Sequence, residues 1–249
     1  MTVKVRAPVV GLREGVMCLG PEASRYLARV LRMADGDAFV AFDPRAAAEA
    51  DAVILGVERG GVRVRVGPLL EGKVVASRAI TWVQGLAKGE KMDAIVRDAT
   101  ELGATQIVAA RSRFSVLKLN GSSAQAKLLR WQRIADEAAR QCRRSDAPRV
   151  LGPLDWDEAL AVAPAHAQRF CLYERAGVPL GGSLAAAVSS EGQALAFAAG
   201  PEGGLGEDEV KRAEQLGWAS VSLGRFILRT ETVAAAVLGA ALVLDRGQK

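Results

Sequence analysis

The sequence predicts an α/β protein in two parts: a small strand-rich domain over residues 1–72 and an alternating strand–helix domain over residues 73–249. Three observations carry this. Before Leu70 the chain shows several short β-rich or alternating segments and only one helical pattern. After Ser77 short apolar runs alternate with patterns of helical period, as a layered α/β domain requires. Near the C-terminal end, two Gly-containing segments each follow a short apolar run and lead into a helical pattern.

In the first part, Glu22 to Met33 reads as a helix, and Asp37–Phe42, Asp51–Val57 and Val62–Val66 read as strands. Gly60-Gly61 is placed to turn the last two into a hairpin. Several short strands with one helix suggest a small barrel. Arg25, Arg29 and Arg32 recur at i, i+4 and i+7, on one face of that helix. They are candidate RNA contacts, or simply a solvated face. Gly72–Ser77 reads as a linker.

The second part opens with a strand at Ile80–Gln84, a helix at Lys91–Leu102 and a strand at Gln106–Ala110. A long helix is expected over Ser123–Arg143. At about 100° per residue, Arg130, Arg133, Arg140 and Arg144 share one side, and Trp131, Ile134, Ala138 and Cys142 the other. Such a ridge suits nucleic-acid phosphates, although Asp136 and Glu137 dilute its field and a merely soluble face is the plain alternative. A strand at Arg169–Tyr173 follows.

The first Gly-containing segment, Gly200-Pro201-Glu202-Gly203-Gly204-Leu205, follows a strand expected over Ala194–Ala199. The second, Leu223-Gly224-Arg225-Phe226-Ile227-Leu228-Arg229-Thr230-Glu231-Thr232, follows a strand over Ala219–Leu223. Loops at the same end of neighbouring parallel strands are where an open α/β sheet binds its ligand. Neither G-x-x-x-x-G-K-S/T nor G-x-G-x-x-G is matched. Glu207, Asp208 and Glu209 already satisfy the next helix N-terminus, so a neutral or cationic ligand suits the loop better than a phosphate. Thr230 is placed as an N-cap. Phe226, Ile227 and Leu228 either plug the core or lend their backbone to an adenine pocket while Arg229 faces a substrate. The apolar run Val233–Leu244 reads as a helix buried nearly all round, packed in the core or against a second subunit.

Composition bounds the chemistry. Half of the 249 residues are hydrophobic, enough for a substantial core. The net charge of +5 is compatible with a polyanionic partner without requiring one. Cys18, Cys142 and Cys171 are far apart with no C-x-x-C or Cys/His cluster, which argues against a metal site and suits a reducing cytoplasm. His166 is the only histidine and lies in a polar connection, so a Ser-His-Asp or Cys-His mechanism has little to stand on. The N-terminal residues lack a signal-peptide apolar core. Val233–Leu244 falls short of the roughly 20 residues a bilayer span needs, so no membrane is expected.

The paired segments G-P-E-G-G-L and L-G-R-F-I-L-R-T-E-T resemble the signature of the RsmE family, methyltransferases of trefoil-knotted SPOUT fold that act on small-subunit ribosomal RNA. Tyr26–Asp37, Lys88–Gly103 and Arg130–Gln141 resemble further blocks of that family in the same order, so the likeness covers nearly the whole chain. It departs from the family where two histidines are common near Arg25 and Tyr26, and where Arg111–Val116 replaces a T-E-R-S-V-like run. Ala199 also replaces a bulkier aliphatic residue.

The resemblance implies a PUA-like RNA-binding domain before the SPOUT domain, a homodimer, and transfer of a methyl group from S-adenosylmethionine to N3 of a uridine in 16S rRNA. Backbone at Tyr173, Gly200, Pro201, Gly203, Gly204, Leu223, Gly224, Ile227 and Leu228 would then hold the cofactor. Arg229 is the first choice for stabilising charge on a uracil oxygen. Glu202 and Glu231 are candidates for accepting the N3 proton, with a loop brace and helix-start electrostatics as their plain readings. A non-catalytic RNA-binding assembly factor, or the same chemistry on another RNA, are the alternatives.

Overall fold

The computed structural model describes residues 5–58, 61–117 and 119–245, which divide into two compact units. The first comprises residues up to Val75 together with Asp136–Ala147, and the second Ala76–Ala135 with the residues from Pro148 onward.

The first unit holds β1 (Arg6–Pro8), β2 (Gly15–Cys18), α1 (Pro21–Arg25), β3 (Ala38–Asp43), β4 (Ala48–Glu58), β5 (Gly61–Val66) and β6 (Leu70–Glu71). Its sheet runs β1-β3-β4-β5-β2, with β6 beside β4; only β1 and β3 pair in parallel. The sheet path ends at β1 and β2, so the expected barrel is an open strand order wrapped on one core. Strict alternation builds that core. In β5, Val62, Val64 and Val66 are buried while Arg63 and Arg65 face out. Leu27, Phe39 and Ile54 complete it.

The helix expected over Glu22–Met33 is shorter and changes character. After α1 the chain forms a π-helical turn at Tyr26–Val30, and Arg32 is left-handed at φ 56°. Arg25, Arg29 and Arg32 are all exposed, but they do not share one regular α-helical face. Of the expected turn, Gly60 lies outside the described residues, while Gly61 opens β5.

The second unit contains β7 (Ile80–Gly85), α2 (Lys91–Glu101), β8 (Gln106–Arg111), most of α3 (Gly121–Gln141), β9 (Arg149–Asp155), α4 (Trp156–Ala161), β10 (Gln168–Leu172), α5 (Leu180–Ser189), β11 (Leu195–Ala199), α6 (Glu207–Gln215), β12 (Ala219–Val221) and α7 (Thr230–Leu244). Its six strands are all parallel, in the order β12-β10-β11-β7-β8-β9. Such strands are covered on both faces and read as near-continuous apolar runs. Alternate residues feed two cores. Trp82, Ile107 and Phe197 face α2, α5 and α7, while Val83, Val108, Ala196 and Ala198 face α4 and α6.

Several expectations are corrected here. β11 and β12 are not neighbours, since β10 lies between them and pairs with both. Residues 136–147 belong to the first unit. Arg45 pairs with Asp136 at 2.7 Å, and the Ser145 hydroxyl donates to Glu49 at 3.0 Å. The arginine ridge is shorter than expected, because α3 ends at Gln141 and Arg143 is left-handed. Arg144 therefore leaves the helix, is 5% exposed, and is held by Asp146 at 2.7 Å. The apolar side of α3 is as expected at Trp131 and Ala138, both buried. α7 is buried along one side only. Ala234, Val237, Leu238 and Ala241 are inside, whereas Ala236, Ala240 and Val243 are exposed.

Candidate active site

Three loops leave the same edge of the parallel sheet, after β10, β11 and β12, as the crevice rule for open α/β sheets anticipates. They converge with the first turns of α2 and α7 on a cavity of about 480 Å³. Every sequence-predicted cofactor residue lines it: Tyr173 from the first loop, Gly200, Pro201, Gly203 and Gly204 from the second, Leu223, Gly224, Ile227 and Leu228 from the third. Glu202, Arg229 and Glu231 line the same cavity. The arginines singled out at 25, 29, 32, 130, 133, 140 and 144 are not among its lining residues.

The second loop folds back on itself. A Cβ on Gly200 would sit 2.6 Å from the Gly204 carbonyl carbon and oxygen, so only glycine permits that approach. Gly204 has φ +73°, a conformation other residues rarely adopt. Phe114 packs over Gly203, at 2.7 Å from the position a Cβ would take there.

The third loop carries apolar side chains in the open. Phe226 is 75% exposed and Ile227 87%. They do not plug the core; with Leu228 they line the cavity. Thr230 is not the N-cap; Arg229 holds that position in extended conformation. Thr230 is instead the first helical residue, and its hydroxyl donates to the Gly200 carbonyl at 2.8 Å.

The charged residues divide by their partners. Glu202 accepts from the Lys88 backbone N–H and from Lys91 Nζ, both at 3.0 Å. Burial pushes its carboxyl up, but hydrogen bonds from its own backbone, Lys91 and Lys88 outweigh this and hold it below the usual carboxylate range. Glu231 Oε2, by contrast, is buried without a hydrogen-bond partner. Arg229 is exposed at the cavity wall.

Sequence reasoning missed Lys91, Glu174, Thr230 and Val233 as lining residues, and Gln84 beneath the floor. A Gln near the end of a mostly apolar strand was the available signal for the last. Cys171 is poorly placed for nucleophilic chemistry. Cys171 is buried, and burial pushes its thiol up to about 12. His166 is exposed and outside the cavity lining. Among the described residues no group of His, Cys, Asp and Glu is arranged to hold a metal ion, and no helix is long and apolar enough to cross a membrane.

Comparison with known proteins gives this architecture its class. Residues 75–242 match the RNA methyltransferase domain and residues 19–67 match the RNA methyltransferase PUA domain. The protein is thus an RNA methyltransferase with an α/β catalytic domain and an N-terminal PUA domain. It is 31% identical to ribosomal RNA small subunit methyltransferase E of Bacillus subtilis, over 85% of this chain and 83% of the relative. It is 32% identical to the enzyme of that name from Synechocystis, over 88% of this chain and 70% of the relative. The chain belongs to the ribosomal RNA small subunit methyltransferase E family. The crystal structure of the Neisseria gonorrhoeae member, bound to S-adenosylmethionine, superposes with a TM-score of 0.84 at 26% identity, covering 97% of this chain and 98% of that one.

Proposed function

We propose that this protein uses S-adenosylmethionine to methylate N3 of a uridine in 16S rRNA of the small ribosomal subunit. The observation that carries the reading is the single cavity in which the G-P-E-G-G loop, the L-R-T-E-T segment, Arg229 and Glu231 meet. The residues present fit the cofactor: close-approach glycine backbone on one wall, exposed apolar Ile227 and Phe226 on another, and a buried Glu231 oxygen left without a partner. Bound there, S-adenosylmethionine would supply a methyl group made electrophilic by its sulfonium, with no metal required.

The chain's own residues must then deal with the nucleophile. Uracil N3 carries a proton and its lone pair is conjugated with two carbonyls. Arg229 is the group that stabilises the charge developing on a carbonyl oxygen. Glu231, with an unengaged oxygen, is the better of the two acids for taking the proton. Glu202 is the weaker base and braces its loop on Lys88 and Lys91. Backbone at Tyr173, Gly200, Pro201, Gly203, Gly204, Leu223, Gly224, Ile227 and Leu228 holds the cofactor.

RNA phosphates are assigned to Arg25, Arg29 and Arg32 and to Arg130, Arg133 and Arg140 on α3. Arg144, buried on Asp146, is the least suited of the candidates. The exposed Ala236, Ala240 and Val243 side of α7, together with exposed Phe226 and Ile227, supports a homodimer. The strand order, with β12 beside β10 while α7 packs on α2, supports the trefoil-knotted SPOUT reading. Work on ribosomal RNA supports a cytoplasmic location. RNA binding is assigned to residues 1–72 together with 136–147, which share their unit, and catalysis to the rest of 73–249.

The test is incubation with isotopically labelled S-adenosylmethionine and small subunits lacking the modification, followed by mass spectrometry of the digested RNA. Labelled 3-methyluridine is the expected product. Cofactor binding without label would redirect the reading to another RNA, and neither binding nor label would favour an assembly factor.

A further inference from the structure

We propose that Gln84 is a positioning residue for the methyl-transfer site, acting through Thr230 on the backbone that carries Arg229 and Glu231; this rests on the functional reading above. Gln84 lies near the end of β7, opposite Ala199 in register, and is fully buried. Its amide orientation is fixed by its neighbours. Trp82 Nε1, two residues back on the same strand face, donates to Gln84 Oε1 at 3.0 Å. Nε2 therefore points the other way, and it lies 3.0 Å from each of three oxygens: Gly85 O, Gly200 O and Thr230 Oγ1.

An amide nitrogen has two hydrogens. Three acceptors can be served because the Thr230 hydroxyl donates to Gly200 O at 2.8 Å. That leaves Thr230 Oγ1 to accept from Gln84, and the second amide hydrogen for Gly85 O. Each polar atom of the cluster then has a partner, which burial demands. The cluster joins three pieces of chain that are remote in sequence: the end of β7, the first residue of the G-P-E-G-G loop and the first residue of α7.

An apolar side chain at position 84 would fill the volume, and Gly200 O would keep its bond from Thr230. What it could not do is fix the direction of the Thr230 hydroxyl or tie α7 to the central strand. Thr230 stands between Arg229 and Glu231, so any rotation at its Cα moves both. The two groups must meet one substrate ring from fixed positions, and small displacements there are costly. Glu202 already braces the second loop from outside, through Lys88 and Lys91. Gln84 braces it from beneath.

The experiment compares Thr230→Val, Thr230→Ser and Gln84→Met in the full-length protein. Turnover is measured at saturating S-adenosylmethionine and small subunits lacking the modification, cofactor affinity by calorimetry, and folding by thermal melts. Thr230→Val and Gln84→Met should lower kcat about 10- to 100-fold, well beyond any change in cofactor Kd. Thr230→Ser, which keeps the hydroxyl, should restore most of that loss. Wild-type turnover in Thr230→Val, an equal loss in Thr230→Ser, or a Kd that weakens as much as kcat falls would overturn the inference. Should Gln84→Met fail to fold, the Thr230 pair decides alone. A wild-type protein that transfers no methyl group overturns the functional reading itself, a result distinct from active wild type with indifferent variants.

Discussion

Arg78 and Asp245 form a two-point ion pair in which each side chain is only 4% exposed: Nη2 donates to Oδ1 at 2.7 Å and Nε to Oδ2 at 3.0 Å. Arg78 also donates to the carbonyls of Val188, Ser190 and Gln193, so the entry to β7, the end of α5 and the end of α7 share one guanidinium. Removing one partner strands a buried charge. Asp245→Ala should cost about 3–5 kcal/mol of unfolding free energy in urea melts. A double replacement by apolar residues should recover much of that loss.

Glu209 latches the loop after β8. One of its carboxylate oxygens accepts the Arg113 N–H at 2.8 Å and the other the Gly206 N–H at 2.9 Å. Glu209→Ala leaves both amides without that partner, at a cost of roughly 1–3 kcal/mol. Trypsin should then cut after Arg113 markedly faster than in the wild type, while the first unit keeps its digestion pattern.

Gly200→Ala tests the cofactor wall directly. The added methyl meets backbone at 2.6 Å, so the Gly204 peptide must move. Calorimetry should show S-adenosylmethionine affinity reduced at least about tenfold, the equivalent of ~1.4 kcal/mol, with circular dichroism unchanged.

The Glu202 brace predicts a pH dependence of definite sign. Its folded carboxyl titrates below the ordinary value of 4.5, so its contribution to stability is complete above that value and is lost as pH falls through the lower, folded one. The stability difference between wild type and Glu202→Gln, measured by urea unfolding, should be largest near neutrality and shrink on acidification below pH 4.5. A difference that grows on acidification would contradict this.

Arg229→Ala should lower turnover far more than cofactor binding, since the guanidinium is assigned to charge that appears during the reaction. Paired kinetics and calorimetry separate the two. Equal losses would mean that Arg229 merely holds the cofactor.

The strands of the catalytic domain were readable because parallel strands buried on both faces leave unbroken apolar runs, as at Leu195–Ala199. The site loops were readable because Gly200 leaves no room for a Cβ and Gly204 takes a conformation other residues rarely adopt. What stayed hidden depends on lateral order. Nothing local places β10 between β11 and β12, or lifts residues 136–147 into the first unit. Helical spacing also overreached at Arg144, because periodicity cannot register a left-handed Arg143 that ends the helix first. Thr230 matched an N-cap by residue type, but its hydroxyl is claimed by a carbonyl 30 positions earlier in the chain.

Gln84 meets Gly200 and Thr230 at sequence separations of 116 and 146. Contacts of such separation reward the chain only after the loop-closure entropy of the crossovers has been overcome. The catalytic pocket is therefore no semi-independent module that a half-folded chain could display. A ligand that occupies it recognises only the completed sheet. Its binding energy stabilises the entire catalytic unit against unfolding.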